Sequence, residues 1–134
     1  MKNTLKKIIF LAIGLSLIAC SSERNVPFYF NFKNNTGKLI YWGMSYSYPD
    51  TSLKNIENVP SKNTAYKIYP GKTEAFSTSI LSFNATAQIF IFDSDVIEKT
   101  PWDSIVKYNI VLKRYQFTQS ELEKMNWEII YDAN

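Results

Sequence analysis

Six residues in the second half of the chain, Ala87-Gln88-Ile89-Phe90-Ile91-Phe92, constrain its fold more than any others. Apart from Gln88 the run is apolar on both faces, so it predicts a central strand covered by protein on each side. Shorter runs with the period of two typical of half-buried strands surround it. Phe28, Phe30 and Phe32 alternate with Tyr29, Asn31 and Lys33. Asn34-Asn35-Thr36-Gly37 makes a turn, and the aromatic-rich stretch from Leu39 to Tyr48 makes a second strand, so these two strands are expected to form a hairpin. Tyr48-Pro49-Asp50-Thr51-Ser52-Leu53 ends it, because proline cannot donate to a ladder and Asp, Thr and Ser bond their own backbone. An irregular polar loop to Asn63 follows. Ala65 to Tyr69 and Glu74 to Thr78 then flank Pro70-Gly71 and read as a second hairpin.

Toward the C-terminus, Thr100-Pro101 predicts a helical start, with threonine as N-cap and proline in the first helical position. Trp102 and Ile105 would turn inward from it. Tyr108 to Gln116 reads as strand. Thr118 and Glu121 have capping-box spacing and Phe117 and Leu122 hydrophobic-staple spacing, which predicts a short helix to about Met125. Trp127 to Tyr131 is the final strand. Short strands separated by turn signals, with little helix, predict a mostly β fold: a single antiparallel β-sandwich, immunoglobulin-like or related, of about seven strands with one or two short helical turns. There is no internal repeat or low-complexity tract.

The N-terminus predicts where such a domain would reside. Lys2, Lys6 and Lys7 precede an apolar run, Ile8 to Ala19, which stops at Cys20. A basic start, an apolar middle and small residues at the cut are the parts of an export signal. Twelve apolar residues fall short of the roughly 20 that a membrane span needs. Leu17-Ile18-Ala19-Cys20 resembles the bacterial lipobox, in which cleavage precedes a diacylated cysteine. The expected organisation is a signal peptide over 1–19 forming a signal helix, a lipidated Cys20 with a tether over 20–26, and a β-sandwich over 27–134. One acyl chain anchors marginally whereas two hold stably, so the expected partner is the membrane, through acylated Cys20. Ser21 stands where lipoproteins retained in the enterobacterial inner membrane usually carry Asp, which favours the outer membrane and leaves its periplasmic or surface face open.

Composition removes several function classes. Of the fifteen basic residues three precede Cys20, which leaves twelve against twelve acidic side chains. No basic patch for nucleic acid is apparent. The chain has no histidine and one cysteine. Nucleophile systems that need an imidazole base and the common zinc sites are therefore not expected, nor is any cofactor or metal. Asp93 and Asp95 could offer two of the six to eight oxygens that calcium takes, but the EF-hand pattern is missing, and they read as a solvated strand end.

The chain also resembles a set of small uncharacterised Bacteroidetes lipoproteins. The likeness is carried by the lipobox, by Tyr48-Pro49-Asp50-Thr51-Ser52-Leu53, and by Leu112-Lys113-Arg114-Tyr115 through Thr118, Glu121, Leu122, Asn126 and Trp127. It implies an envelope compartment and a single domain, and no activity. Within these motifs Tyr48, Asp50 and Thr51 are a candidate ligand loop, although Asp50 capping its own turn accounts for the same residues. Tyr41 and Tyr46 are candidate aromatic contacts for a sugar or protein partner, whereas Trp42 shares a face with Ile40 and Met44 and is expected in the core. Asp103-Ser104-Ile105 resembles the short Bacteroidetes O-glycosylation signal, with Ser104 as acceptor. The expected role is non-catalytic binding or structure at the outer membrane, with an envelope protein or a glycan as partner. The alternative is a glycan-binding accessory module or a carboxylate-dependent glycan hydrolase drawing on acids such as Asp50, Glu57, Glu74, Asp93, Glu98 or Asp103.

Overall fold

The structure, a computed structural model, describes residues 28–78 and 85–133. The predicted signal helix, Cys20 and its tether lie outside them. The described elements are β1 (Phe28–Asn34), β2 (Ile40–Ser45), β3 (Lys67–Ile68), β4 (Thr73–Thr78), β5 (Ala87–Asp93), α1 (Ser94–Lys99), α2 (Trp102–Tyr108), β6 (Lys113–Phe117), α3 (Gln119–Lys124) and β7 (Glu128–Tyr131). The strands form two open sheets ordered β4-β1-β7 and β3-β2-β5-β6. The chain is thus mostly β, a sandwich with short helices, as the strand pattern predicts. One pairing departs from the antiparallel expectation. β7 lies parallel to β1, with Phe32 opposite Ile129 and Asn34 opposite Tyr131.

Neither expected hairpin forms. β1 pairs with β4, not β2, and β3 pairs with β2, not β4. Both turns instead carry the chain from one sheet to the other, and Asn34 ties them together. Its fully buried side chain donates from Nδ2 to the carbonyls of Lys38 at 2.7 Å and Ile68 at 3.0 Å. Its Oδ1 accepts from Thr36 N–H at 3.0 Å and from the Thr36 hydroxyl at 2.7 Å. The second turn reaches the same point: Gly71, at a φ of 67° that glycine adopts without strain, donates its N–H to Asn34 O at 2.9 Å. Crossing between sheets lets the inward aromatics of both collect in one core.

That core holds Phe30, Phe32, Ile129 and Tyr131 from one sheet against Ile40, Trp42, Met44, Ile68, Ala87, Ile89 and Ile91 from the other, with Leu122 of α3 among them. A second apolar layer covers the opposite face of the four-stranded sheet. There Tyr41, Phe90 and Phe92 pack with Leu53, Ile56, Ile97 and Ile105, drawn from the long loop, α1 and α2. β5 is therefore buried on both sides, as its sequence requires. Gly43 belongs to this layer: a Cβ there would sit 2.9 Å from Ile56 Cγ2 and 3.1 Å from its Cδ1, so only glycine lets the loop approach the sheet this closely.

The helices differ from expectation in three places. Asp93 ends β5 and caps α1, its carboxylate accepting from Asp95 N–H at 2.8 Å; a turn residue that bonds its own backbone starts a helix as readily as it ends a strand. At α2 the N-cap is Pro101 and not Thr100, whose N–H instead closes α1 on Val96 O at 2.9 Å. Tyr108, expected in a strand, is the last residue of α2, and Asn109 ends that helix in the left-handed conformation at φ 54°. The capping box at Thr118 and Glu121 forms as its spacing predicts.

Candidate functional site

The segment Tyr48-Pro49-Asp50-Thr51 opens with a cis Tyr48-Pro49 bond and a turn in which Asp50 N–H donates to Ser47 O at 2.8 Å. Asp50 then spends its carboxylate locally. Oδ1 accepts from Ser52 N–H at 2.8 Å and Oδ2 from Asn55 Nδ2 at 2.7 Å. Its carbonyl accepts from the buried Gln88 side chain at 2.8 Å, which fixes the loop to β5. The Thr51 carbonyl accepts from Arg114 Nη1 at 2.7 Å, while Arg114 Nη2 donates to Asn109 Oδ1. The guanidinium lies over the Phe90 ring, 5.2 Å from its centre. Asp50, Thr51, Asn109 and Arg114 thus border a shallow depression of about 350 Å³. Tyr48 is exposed and does not line it. These bonds account for the motif as a clasp between loop, β5, β6 and the end of α2.

The two aromatic candidates separate. Tyr41 is 1% exposed, because the loop and helices cover the face of β2 that it occupies. It is therefore a core residue and not an aromatic contact. Its hydroxyl donates to Glu98 Oε1 at 2.9 Å, and burial, followed by this bond and the carboxylate's charge, pushes its pKa up to about 12. Tyr46 is half-buried against the main core. Trp42 is 6% exposed and packs edge-on to Tyr66 and close to Phe76, which places it in the core as expected.

Asp93 and Asp95 do not converge. Asp93 faces its own helix start, and Asp95 pairs with Lys99 at 2.7 Å across one exposed turn, which holds the Asp95 carboxyl below its ordinary range. Among the described residues no group of three or more acidic, His or Cys side chains could hold a metal ion. Ser104 is half-buried on α2, its N–H bonded to Pro101 O at 3.0 Å. Among the same residues no helix is long and apolar enough to cross a membrane.

One further concavity was not visible in the sequence. A cleft of about 580 Å³ opens at one end of the sandwich, where Thr36 to Ile40 meet Asp93, Leu112, Tyr131 and Ala133. That volume is within the range of small-ligand sites. Leu112 is half exposed beside it, and Lys38 and Asp93 place one charge of each sign in its wall. The buried Tyr131 phenol is pushed up by burial and then by the nearby Asp93 carboxylate. The cleft draws on four separate chain segments, and its only sequence trace is an apolar residue just after a polar turn, Leu39, and another just before a strand, Leu112. Compared with known proteins, the chain matches no family model, no curated protein and no solved structure.

Proposed function

We propose that this protein is an exported lipoprotein, held at the outer membrane by acylated Cys20, which binds an envelope partner without carrying out chemistry on it. The observation that supports this most is the direction of β1. The strand starts at Phe28, where the predicted tether enters, and ends at Asn34, beside the cleft. Seven residues at about 3.3 Å each separate the two ends by roughly 20 Å. An anchored domain of this kind holds its cleft away from the lipid surface, where a partner can reach it. The apolar wall from Leu39, Leu112 and Tyr131, with the charges of Lys38 and Asp93 beside it, suits contact with another envelope molecule. A binding role also accords with how the acids are used: Asp50, Asp93, Asp95 and Glu121 serve a loop, a helix cap, an ion pair and a capping box.

A photo-reactive residue at Leu112 in intact cells tests this directly, with the same residue at Tyr29 as control. Tyr29 is exposed on the open face of the three-stranded sheet near the other end. A discrete crosslinked species from Leu112, absent from Tyr29 and lost with Cys20→Ala, is expected. Capture from Tyr29 alone, or from neither, would refute the cleft as the binding surface.

A further inference from the structure

The end cleft carries two polar groups that the fold leaves partly unused. Tyr131 points inward from the last residue of β7 and is 93% buried, since 7% of it is exposed. Its backbone carbonyl accepts from Asn35 N–H at 2.9 Å, but its hydroxyl has no hydrogen-bond partner among the described residues. Nor is that hydroxyl sealed in. Among the described residues the unpartnered side-chain atoms closed to water are Trp42 Nε1 and Asn58 Nδ2. The small part of Tyr131 that reaches solvent therefore includes its hydroxyl, and the surface Tyr131 lines is the cleft. Asp93, in the same wall, is the second group. Its Oδ1 caps α1 by accepting from Asp95 N–H, while Oδ2 has no donor among the described residues. Its charge is felt at the Tyr131 phenol, yet the two side chains are not bonded to each other. One hydroxyl donor and one carboxylate oxygen thus stand apart on a single cleft.

Such a pair selects a ligand that accepts one hydrogen bond and donates another. The rest of the wall narrows the class, because Leu39, Ile40, Leu112 and Ala133 are aliphatic and Leu112 is 49% exposed. An acyl chain would cover that wall but offers nothing to either polar group, and covering a carboxylate oxygen without a partner is costly. A sugar has the hydroxyls, but sugars pack on open aromatic faces, and the ring in this wall is the buried Tyr131. An ammonium group could donate to Asp93 but cannot accept from the phenol. A residue of an extended peptide meets every demand. Its N–H and C=O point to the same side, as in a strand pair that exchanges both bonds, and its side chain can be apolar.

We propose that the end cleft takes one apolar residue of an extended peptide segment on an envelope protein. The side chain packs against Leu39 and Leu112, the backbone N–H donates to Asp93, and the backbone carbonyl accepts from the Tyr131 hydroxyl. This names the partner class for the cleft and rests on the reading that the cleft is the binding surface.

The test is a titration of the mature chain, residues 20–134 with Cys20→Ala, labelled with ¹³C in its leucine methyls. The probes are blocked tripeptides, acetyl-Ala-X-Ala-amide with X as Leu, Ile, Phe, Met or Gly, at millimolar concentrations. Methyl signals are assigned by single Leu→Ile substitutions. A saturable shift of Leu39 and Leu112 is expected for at least one apolar X and not for Gly, with Leu53, which packs on the opposite face of the four-stranded sheet, unmoved. Tyr131→Phe keeps the ring and Asp93→Asn keeps a helix cap. Each should weaken binding about tenfold, as should an ester oxygen in place of the N–H of X. Unchanged affinity in both variants would overturn the proposal, as would tighter binding of methyl glucoside or octanoate than of any tripeptide. No shift with any tripeptide, for a protein that does give the Leu112 crosslink in cells, would overturn the peptide assignment and leave the cleft as the binding surface. Neither shift nor crosslink would overturn both.

Discussion

Replacing Asn34 by alanine should be among the most damaging single changes outside the apolar core. The side chain makes four hydrogen bonds, two donated to the Lys38 and Ile68 carbonyls and two accepted from Thr36. Asn34 is fully buried, and the bond to Ile68 O is buried as well. A hydrogen bond contributes about 1 kcal/mol net, and a buried group left without its partner costs about 1–3 kcal/mol. Thr36 lies close enough to water to recover part of its loss, whereas Ile68 O does not. The expected cost of Asn34→Ala is therefore about 3 kcal/mol, or roughly 12 °C in Tm at ~4 °C per kcal/mol for a domain of this size. Thr36→Val, which removes only the hydroxyl, should cost about 1 kcal/mol. Urea denaturation measures both, with an unchanged m-value confirming that the same surface is exposed on unfolding. A loss below about 1 kcal/mol for Asn34→Ala would refute the claim that this residue joins the two inter-sheet turns.

Three other perturbations probe separate parts of the fold. Gly43→Ala forces a methyl group against Ile56 and should destabilise by about 1–3 kcal/mol; a chemical-denaturation curve unchanged from the parent would show that the loop is not packed this closely. Thr118→Ala removes a capping box and should cost about 0.5–2 kcal/mol, read from the shift in Cm. The same box has a pH signature: backbone and hydroxyl bonds from Thr118 hold the Glu121 carboxyl low, so its contribution is present above the unfolded pKa and is lost as pH falls through the folded one. The difference between parent and Thr118→Ala should accordingly shrink in acid. At the other extreme, the Tyr41 phenol is pushed up to about 12, so its contribution is intact below the unfolded pKa and declines as pH rises toward the folded one. Ultraviolet titration of parent against Tyr41→Phe should show this phenol ionising last; ionisation in the ordinary tyrosine range would contradict its burial.

Features fixed by neighbouring residues were legible in the sequence, and those fixed by distant ones were not. β5 reads correctly because a strand apolar on both faces has one solution, and the Thr118 helix reads correctly because a capping box lies within four residues. The hairpins failed because Asn-Asn-Thr-Gly and Pro-Gly bend a chain equally well within a sheet or between sheets. What decides is the choice of partner for Phe32, which faces Glu74 and Ile129, 42 and 97 residues away. Tyr41 illustrates a signal present but unused. Alternation put it on the face opposite Trp42, and the two-sided burial written into β5 implied that the same face of the adjoining β2 is covered. Asp93 had two meanings, strand end and helix cap, that only the backbone beyond it separates. The end cleft collects residues from several segments, so it leaves no contiguous motif.

The lipid anchor is the claim on which the proposed role most depends. It is tested most directly by the intact mass of the protein extracted from fractionated cells, beside its Cys20→Ala variant. The account predicts a parent protein in the outer-membrane fraction whose mass equals residues 20–134 plus two or three acyl chains, and a variant released from the membrane. A parent that retains residues 1–19 or lacks acyl mass, or a variant that stays with the membrane, would contradict it.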